Sequence, residues 1–273
     1  MRRRLDTELV RRGLVSSRTS ALAEIQAGRV TVAGAPATKA AHLVAAGQPI
    51  EVLGPPSRFV SRGGIKLDAA LEHFSLDVTG ARGLDAGSST GGFTDCLLQR
   101  GASRVVAIDV GYGQLHERLR GDPRVEVRER TDIRSITVDD VGGFVDVVVA
   151  DLSFISLRAV LGSLLALATP GAAVVTLVKP QFEAGRREAS RGKGVVRDPL
   201  VWRRVLGEVV VAVEALGAAL VGATVSPITG AQGNVEFLVH LVRPEHPSVA
   251  SFVIDLDAVV EEAVRRHLGR PVA

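Results

Sequence analysis

Gly83-Leu84-Asp85-Ala86-Gly87-Ser88-Ser89-Thr90-Gly91-Gly92-Phe93-Thr94 is the stretch that decides the fold. A short strand ends on the carboxylate of Asp85, a glycine-rich loop follows, and a helix opens near Gly92. Glycines let a backbone approach a ligand closely and reach positive φ. In open α/β sheets, ligands bind outside the carboxyl ends of the strands. A second acid, Asp109, closes the next strand, where a carboxylate can accept both hydroxyls of a ribose.

Outward from this loop the pattern alternates. Strands are expected at 82–85, 105–109, 125–128, 145–150 and 172–178, with two late strands at 219–226 and 235–242. Helices are expected at 64–74, from about Gly92, and at 155–168, 199–216 and 255–268. Apolar strands alternating with helices imply an α/β, doubly wound Rossmann-like sheet covered on both faces. There is no internal repeat and no low-complexity tract.

Residues 1–53 read differently, as a small α+β domain. Leu5, Leu9 and Val10 space like a short helix ended by Gly13. Ser16-Ser17 can cap a second helix over 18–27, with Leu22 and Ile25 inward and Gly28 as its stop. Val30–Val32 reads as a strand, Ala33-Gly34 as a turn and 49–53 as another strand. Gly54-Pro55-Pro56 is a strong breaker, so 54–61 is the expected linker and 62–273 the larger domain.

Composition narrows the function. Apolar residues make up 46% of the 273, enough for a proper core. The single cysteine, Cys96, rules out an intrachain disulfide and a cysteine zinc cluster. No secretory signal and no clean apolar span is apparent, so a cytoplasmic protein with no membrane role is expected. Residues 1–60 carry nine basic and four acidic side chains, while the rest of the chain has two more acids than bases. A basic N-terminal unit on a near-neutral larger one fits a polyanion-binding module, or a merely solvated basic surface.

The glycine loop fits two cofactors. A dinucleotide would want G-x-G-x-x-G to seat its pyrophosphate, and Gly87, Gly91 and Gly92 lack that spacing. S-adenosylmethionine carries no phosphate, and a looser D-x-G-x-x-x-G-G loop can hold its amino-acid part. Lysine is scarce, at Lys39, Lys66, Lys179 and Lys193 only. Lys179 ends one strand and Asp151 another. Lys66 opens a helix and Glu236 starts the last strand. In a doubly wound sheet the strand ends carrying Asp85, Asp109, Asp151 and Lys179 share one rim. Lys66, Asp151, Lys179 and Glu236 are therefore expected to converge. Such a cluster suits transfer of a methyl group to an alcohol, because a lysine can orient the hydroxyl, or act as base if its pKa is lowered. The sulfonium donor brings its own charge, so no metal is expected.

Segments 84–94, 151–156, 177–183 and 234–238 resemble the FtsJ/RrmJ family of ribose methyltransferases, whose Lys-Asp-Lys-Glu tetrad falls on Lys66, Asp151, Lys179 and Glu236. Residues 5–52 resemble the S4 RNA-binding domain. With Val60-Ser61-Arg62-Gly63-Gly64-Ile65-Lys66-Leu67 at the junction, the combination is similar to the TlyA family along nearly the whole chain. That resemblance implies S-adenosylmethionine as cofactor and cytidine 2′-O-methylation of ribosomal RNA. The basic Arg2–Arg4 start and helical tail resemble the family's long form, which implies action on RNA of both ribosomal subunits. The candidate cofactor-binding residues are Asp85, Gly87, Ser89, Thr90, Gly91, Gly92, Phe93, Asp109, Val110, Asp132 and Asp151.

Arg4, Arg11, Arg12, Arg18, Arg29, Lys39 and Arg62 are the candidate RNA contacts, reaching phosphates. Aromatic residues are only 4% of the chain, so recognition should rest on shape and charge rather than broad stacking. Phe59 is expected to pack rather than to stack on a base. The expected partner is ribosomal RNA within subunits, met by a monomer.

Competing readings fare worse. Amino-group methylation commonly uses Asn/Asp-Pro-Pro-aromatic where this chain has Asp151-Leu152-Ser153-Phe154. Carbon-5 methylation needs a cysteine nucleophile, and Cys96 lies away from the expected rim. A non-enzymatic ribosome-binding protein would not need the four polar residues. A haemolysin-like activity lacks a pore-forming segment.

Overall fold

The computed structural model describes residues 2–15, 18–26, 28–54, 58–185, 188, 192, 194–230, 232–243 and 254–269. The expected Ser16-Ser17 cap, the Pro55-Pro56 breaker and Lys193 lie outside these residues. The chain divides into two compact units, Met1–Arg62 and Gly63–Ala273.

In the first unit, α1 (Leu5–Arg11) and α2 (Arg18–Gln26) accompany β2 (Val30–Val32), β3 (Ala35–Pro36) and β5 (Ile50–Val52), which form one antiparallel sheet in the order β3-β2-β5. A separate ribbon pairs β1 (Arg2–Arg4) with β4 (Leu43–Ala45). Ala33 and Gly34 both have positive φ and form a two-residue hairpin turn, matching the twist of the flanking strands. The core is Leu5, Leu9, Ala21, Ile25, Val30, Val32, Ala37, Val44 and Ile50. Leu22 was expected inward and is exposed. Ala21 and Ile25, four residues apart, share the buried stripe, and Leu22 lies one step round the helix.

The second unit is a seven-stranded sheet in the order β11-β12-β10-β9-β6-β7-β8. Its strands are β6 (Arg82–Ala86), β7 (Arg104–Asp109), β8 (Val125–Glu129), β9 (Val145–Ala150), β10 (Ala168–Val178), β11 (Ala219–Val225) and β12 (Phe237–Val242). β10, β9, β6, β7 and β8 run parallel, and β12 runs antiparallel to both neighbours. Gly83–Ala86 and Val147–Ala150 are buried residue after residue, as strands covered on both faces require. The helices are α3 (Gly63–His73), α4 (Gly92–Gln99), α5 (Glu117–Arg120), α6 (Leu161–Leu167), α7 (Pro180–Glu183), α8 (Pro199–Ala215) and α9 (Leu256–Leu268). Connections leave β6 toward β7 on one side, while β9 and β10 lie on the other. The strand order thus reverses at β6 and opens a crevice at its carboxyl end.

Two expected boundaries move. The helix expected at 155–168 is a 3-10 turn, Leu157–Ala159, followed by α6. β10 starts at Ala168, not 172, and absorbs Thr169–Ala172 as an irregularity in its register with β9. Pro170 and Gly171 mark that bulge rather than a loop before the strand.

Candidate active site

The carboxyl ends of β6, β7, β9 and β10 bring the predicted residues to one edge of the sheet. Asp85, in β6, is fully buried, and its Oδ2 accepts from the Thr94 backbone N–H at 2.9 Å and the Thr94 hydroxyl at 2.6 Å. Its Oδ1 has no protein partner. Burial pushes the Asp85 carboxyl up to about 7, against the pull of the Thr94 hydrogen bonds. Gly87 has φ +82°, and a Cβ there would lie 2.8 Å from the Asp151 carbonyl oxygen, so only glycine lets the β6 and β9 loops meet. Asp109 closes β7, and its two oxygens accept from the N–H groups of Ser89 (2.8 Å) and Gly111 (2.6 Å), clipping the glycine loop to β7.

Between these loops lies a cavity of about 510 Å³. Of the residues expected to bind a cofactor, Gly87, Ser89, Asp109, Val110, Asp132 and Asp151 line it. Thr90, Gly91, Gly92 and Phe93 do not line it. Phe93 is buried on α4 instead, and Gly91 faces leucines, since a Cβ there would collide with the side chains of Leu119 and Leu115. Asp85 stands behind the loop rather than on the wall. The sequence reading missed Gln114, Thr131, Ile133, Arg134 and the 152–155 loop, which form much of the wall. Asp132 caps the 3-10 turn Ile133–Ser135 and pairs with Arg134, which holds its carboxyl down at about 2.

The four polar residues converge around Asp151, the one of them that lines the cavity. Lys66 Nζ lies 2.6 Å from Glu236 Oε2 and 3.7 Å from Asp151 Oδ2. Lys179 Nζ lies 2.5 Å from Asp151 Oδ1 and 3.1 Å from Ser153 Oγ. The chain Glu236–Lys66–Asp151–Lys179 alternates in charge and is electrically neutral. Lys66 and Lys179 are each 7% exposed and Glu236 is 3% exposed, so each charge depends on its partners rather than on water. Burial pushes the Asp151 carboxyl up, but the two ammonium groups outweigh it and leave it below its ordinary value. Two placements differ from expectation. Lys66 is the fourth residue of α3 rather than its opener, and Glu236 stands one residue before β12.

Neighbouring residues fix this cluster. Glu236 occupies the space a side chain at position 230 would take, since a Cβ on Gly230 would lie 2.5 Å from Glu236 Oε1. Two residues earlier, Asn234 accepts from the Val196 N–H at 3.0 Å and donates to the Gly194 carbonyl at 2.8 Å. Buried Glu183, in α7 just beyond Lys179, accepts from Ser156 Oγ (2.6 Å), the Leu157 N–H (2.5 Å) and Arg158 Nε (3.1 Å). It ties the segment after Lys179 to the segment after Asp151. Between them Phe154 projects, 92% exposed and at φ +66°, with its ring centroid 5.5 Å from that of Phe182.

The predicted RNA contacts of the first unit are mostly paired with acids. Arg4 and Arg18 meet Asp6, Arg11 and Arg12 meet Glu8, and Arg29 meets Glu24. Lys39 is exposed and Arg62 half-buried. Phe59 is buried, with the Arg58 guanidinium 4.7 Å from its ring centroid.

Residues 59–243 match the FtsJ-like methyltransferase family and residues 3–50 match the S4 domain. Fold and site thus define an FtsJ-like methyltransferase joined to an S4 domain. The chain is 51% identical over 241 residues to the 16S/23S rRNA (cytidine-2′-O)-methyltransferase TlyA of Mycobacterium tuberculosis, covering 88% of this chain and 90% of that one. It is 34% identical over 185 residues to the 23S rRNA (cytidine-2′-O)-methyltransferase TlyA of Campylobacter jejuni, covering 68% and 71%. A solved structure from Streptococcus thermophilus, described as a hemolysin, is similar with a TM-score of 0.79 and 38% identity over 98% of each chain. The chain belongs to the TlyA family. Among the described residues no helix is long and apolar enough to cross a membrane, and no group of three or more His, Cys, Asp or Glu could hold a metal ion.

Proposed function

We propose that this protein transfers a methyl group from S-adenosylmethionine to the ribose 2′-hydroxyl of a cytidine in ribosomal RNA. The observation that carries the reading is the Lys66–Asp151–Lys179–Glu236 cluster beside the cavity.

The cavity's chemistry suits the cofactor. Three carboxylates, Asp109, Asp132 and Asp151, line it against one arginine, Arg134, already paired with Asp132. That wall repels a pyrophosphate and favours a ligand carrying a sulfonium and an ammonium group. Asp109 is an acceptor for ribose hydroxyls, exposed Val110 offers an apolar surface to the base, and Asp85 braces the glycine loop from behind through Thr94. When bound, the cofactor supplies a methyl group on a positively charged sulfur.

The protein's own residues do the rest. Lys179 Nζ holds the attacking hydroxyl oxygen, and Asp151 holds Lys179. Formation of the O–C bond would break the methyl–sulfur bond and leave the donor a neutral thioether; the hydroxyl proton passes to Lys179 Nζ as Lys179 gives one of its own protons to the Asp151 carboxylate 2.5 Å away. Lys66, fixed by Glu236, keeps Asp151 ionised for that role. Phe154, exposed beside the cavity mouth, offers a face to a base turned out of its helix. The reading places the protein in the cytoplasm, acting as a monomer on ribosomal subunits.

The test is incubation with tritiated S-adenosylmethionine and separated ribosomal subunits that lack the modification, with Lys179→Ala alongside. Transfer of label to RNA that the variant does not support is the expected result. Cofactor binding without transfer to either subunit would move the substrate elsewhere, and absence of cofactor binding would overturn the reading.

A further inference from the structure

On a surface meant for a polyanion, acids subtract charge, yet the first unit buries three of them directly beneath its arginines. Glu8 is 1% exposed, Asp6 5% and Glu24 6%. Arg11 meets Glu8 side-on, through Nε at 2.8 Å and Nη2 at 2.6 Å. Arg4 meets Asp6 the same way, at 3.1 and 3.0 Å. A side-on fork uses Nε–H and one Nη2–H of the five guanidinium donors, and leaves the other three to face outward. Arg18 Nη2 donates to Asp6 Oδ2 at 2.8 Å, and Arg29 Nε to Glu24 Oε2 at 2.5 Å. These arginines stay open to solvent, their side chains 49% (Arg4), 47% (Arg11), 64% (Arg18) and 40% (Arg29) exposed.

Arg12 is different. Its side chain is 20% exposed, and its guanidinium donates to Glu8 and to the carbonyls of Gln48, Ala45 and Ala46. Few of its donors remain for another partner.

We propose that Asp6, Glu8 and Glu24 are positioning residues for RNA binding: they hold Arg4, Arg11, Arg18 and Arg29 as fixed, outward-facing phosphate forks, while Arg12 is a strut tying α1 to the 45–48 turn. A free arginine loses its rotamer freedom when it grips a phosphate, and a pinned one has lost it on folding. The fork geometry also matches a phosphate better when its plane is fixed. The inference rests on the ribosomal RNA reading above. If the acids merely offset surplus charge, removing one adds a net positive charge and tightens binding.

The two accounts predict opposite signs. Binding of purified ribosomal RNA by the full chain is measured at fixed salt for the unaltered protein, Glu8→Gln, Asp6→Asn, Arg11→Ala and the Glu8→Gln/Arg11→Ala double variant, with Tm as the folding control. Glu8→Gln is expected to weaken binding about threefold to tenfold, as freeing one or two rotamer-rich side chains should. The double variant is expected to bind no worse than Arg11→Ala alone. In turnover assays KM for RNA rises while kcat at saturating RNA stays unchanged. Unchanged or tighter binding by Glu8→Gln overturns the proposal. Should Glu8→Gln lower Tm below the assay temperature, Asp6→Asn carries the same prediction through Arg4 and Arg18. Arg12→Lys is expected to lower Tm and leave affinity within about twofold, since a strut makes no phosphate contact; a loss equal to that of Arg11→Ala contradicts its assignment. Failure of the unaltered protein to bind ribosomal RNA would overturn the functional reading itself, and is seen before any variant is compared.

Discussion

Two ammonium groups and two carboxylates share a space that water scarcely reaches, so each group's charge is set by the next. Lys179→Ala removes the ammonium group held by Asp151 and Ser153, two residues of the cavity wall. It is expected to lower kcat by about a hundredfold to ten-thousandfold, the range for a positioned proton-transfer group, with cofactor affinity little changed. Single-turnover transfer and equilibrium cofactor binding separate those effects, and loss of cofactor binding alone would contradict the role given to Lys179. Asp85 makes a pH prediction. Its folded-state value near 7 lies above the ordinary 3.8, so between about pH 4 and 7 the folded protein holds the extra proton. Stability therefore falls as pH rises through that window, by up to about 1.4 kcal/mol per pH unit from this group. Glu8 and Asp132, held at about 2, act in the opposite sense and only below about pH 4.5, where their stabilising pairs are lost as pH falls. Urea unfolding between pH 5 and 7 is expected to show the Asp85 slope, and Asp85→Asn, which mimics the protonated acid, to flatten it.

At the level of elements, short segments with no periodicity of their own hold the site. Leu119, from α5, and Leu115, just before it, press onto Gly91, where φ is +96°. Gly91→Ala should displace that contact and cost about 1–3 kcal/mol, read as a lowered Tm; an unchanged Tm would mean the leucines simply step aside. Glu183 joins α7 to the 156–158 segment, and Glu183→Ala leaves the Ser156 hydroxyl, the Leu157 N–H and Arg158 Nε without their shared acceptor. That variant is expected to lose about 2–4 kcal/mol and to impair Lys179 and Phe154 together. The main strands and helices were legible because the strands are short continuous apolar runs and the helices repeat their apolar residues near period 3.6. α5 and α7, four residues each, and β1, three arginines whose pairing is set by β4, carry no such signal. β10 began earlier than expected because Pro170-Gly171 reads as a breaker and is in fact a bulge.

For the molecule as a whole, charge and chemistry are divided between two units. The tetrad was legible because lysine is rare and strand ends of a parallel sheet share one rim, so four residues far apart in sequence had one place to meet. The glycine loop was legible as a loop but not residue by residue: Gly91 serves leucine packing, and Phe93 the core, in a stretch that reads as uniformly ligand-facing. Phe154 was missed because an exposed aromatic at positive φ has no sequence signature. With the basic surplus concentrated in residues 1–60, raising salt from about 50 to about 200 mM should weaken RNA binding at least about tenfold and leave cofactor binding nearly unchanged; equal sensitivity of both would contradict the division. The central claim is that the methyl group goes to a ribose oxygen of cytidine. Ribosomal RNA treated with the protein and S-adenosylmethionine, digested to nucleosides and analysed by mass spectrometry, tests it most directly. The account predicts new 2′-O-methylcytidine that is absent with Lys179→Ala; a base-methylated nucleoside, or methylation of a different ribose, would contradict it.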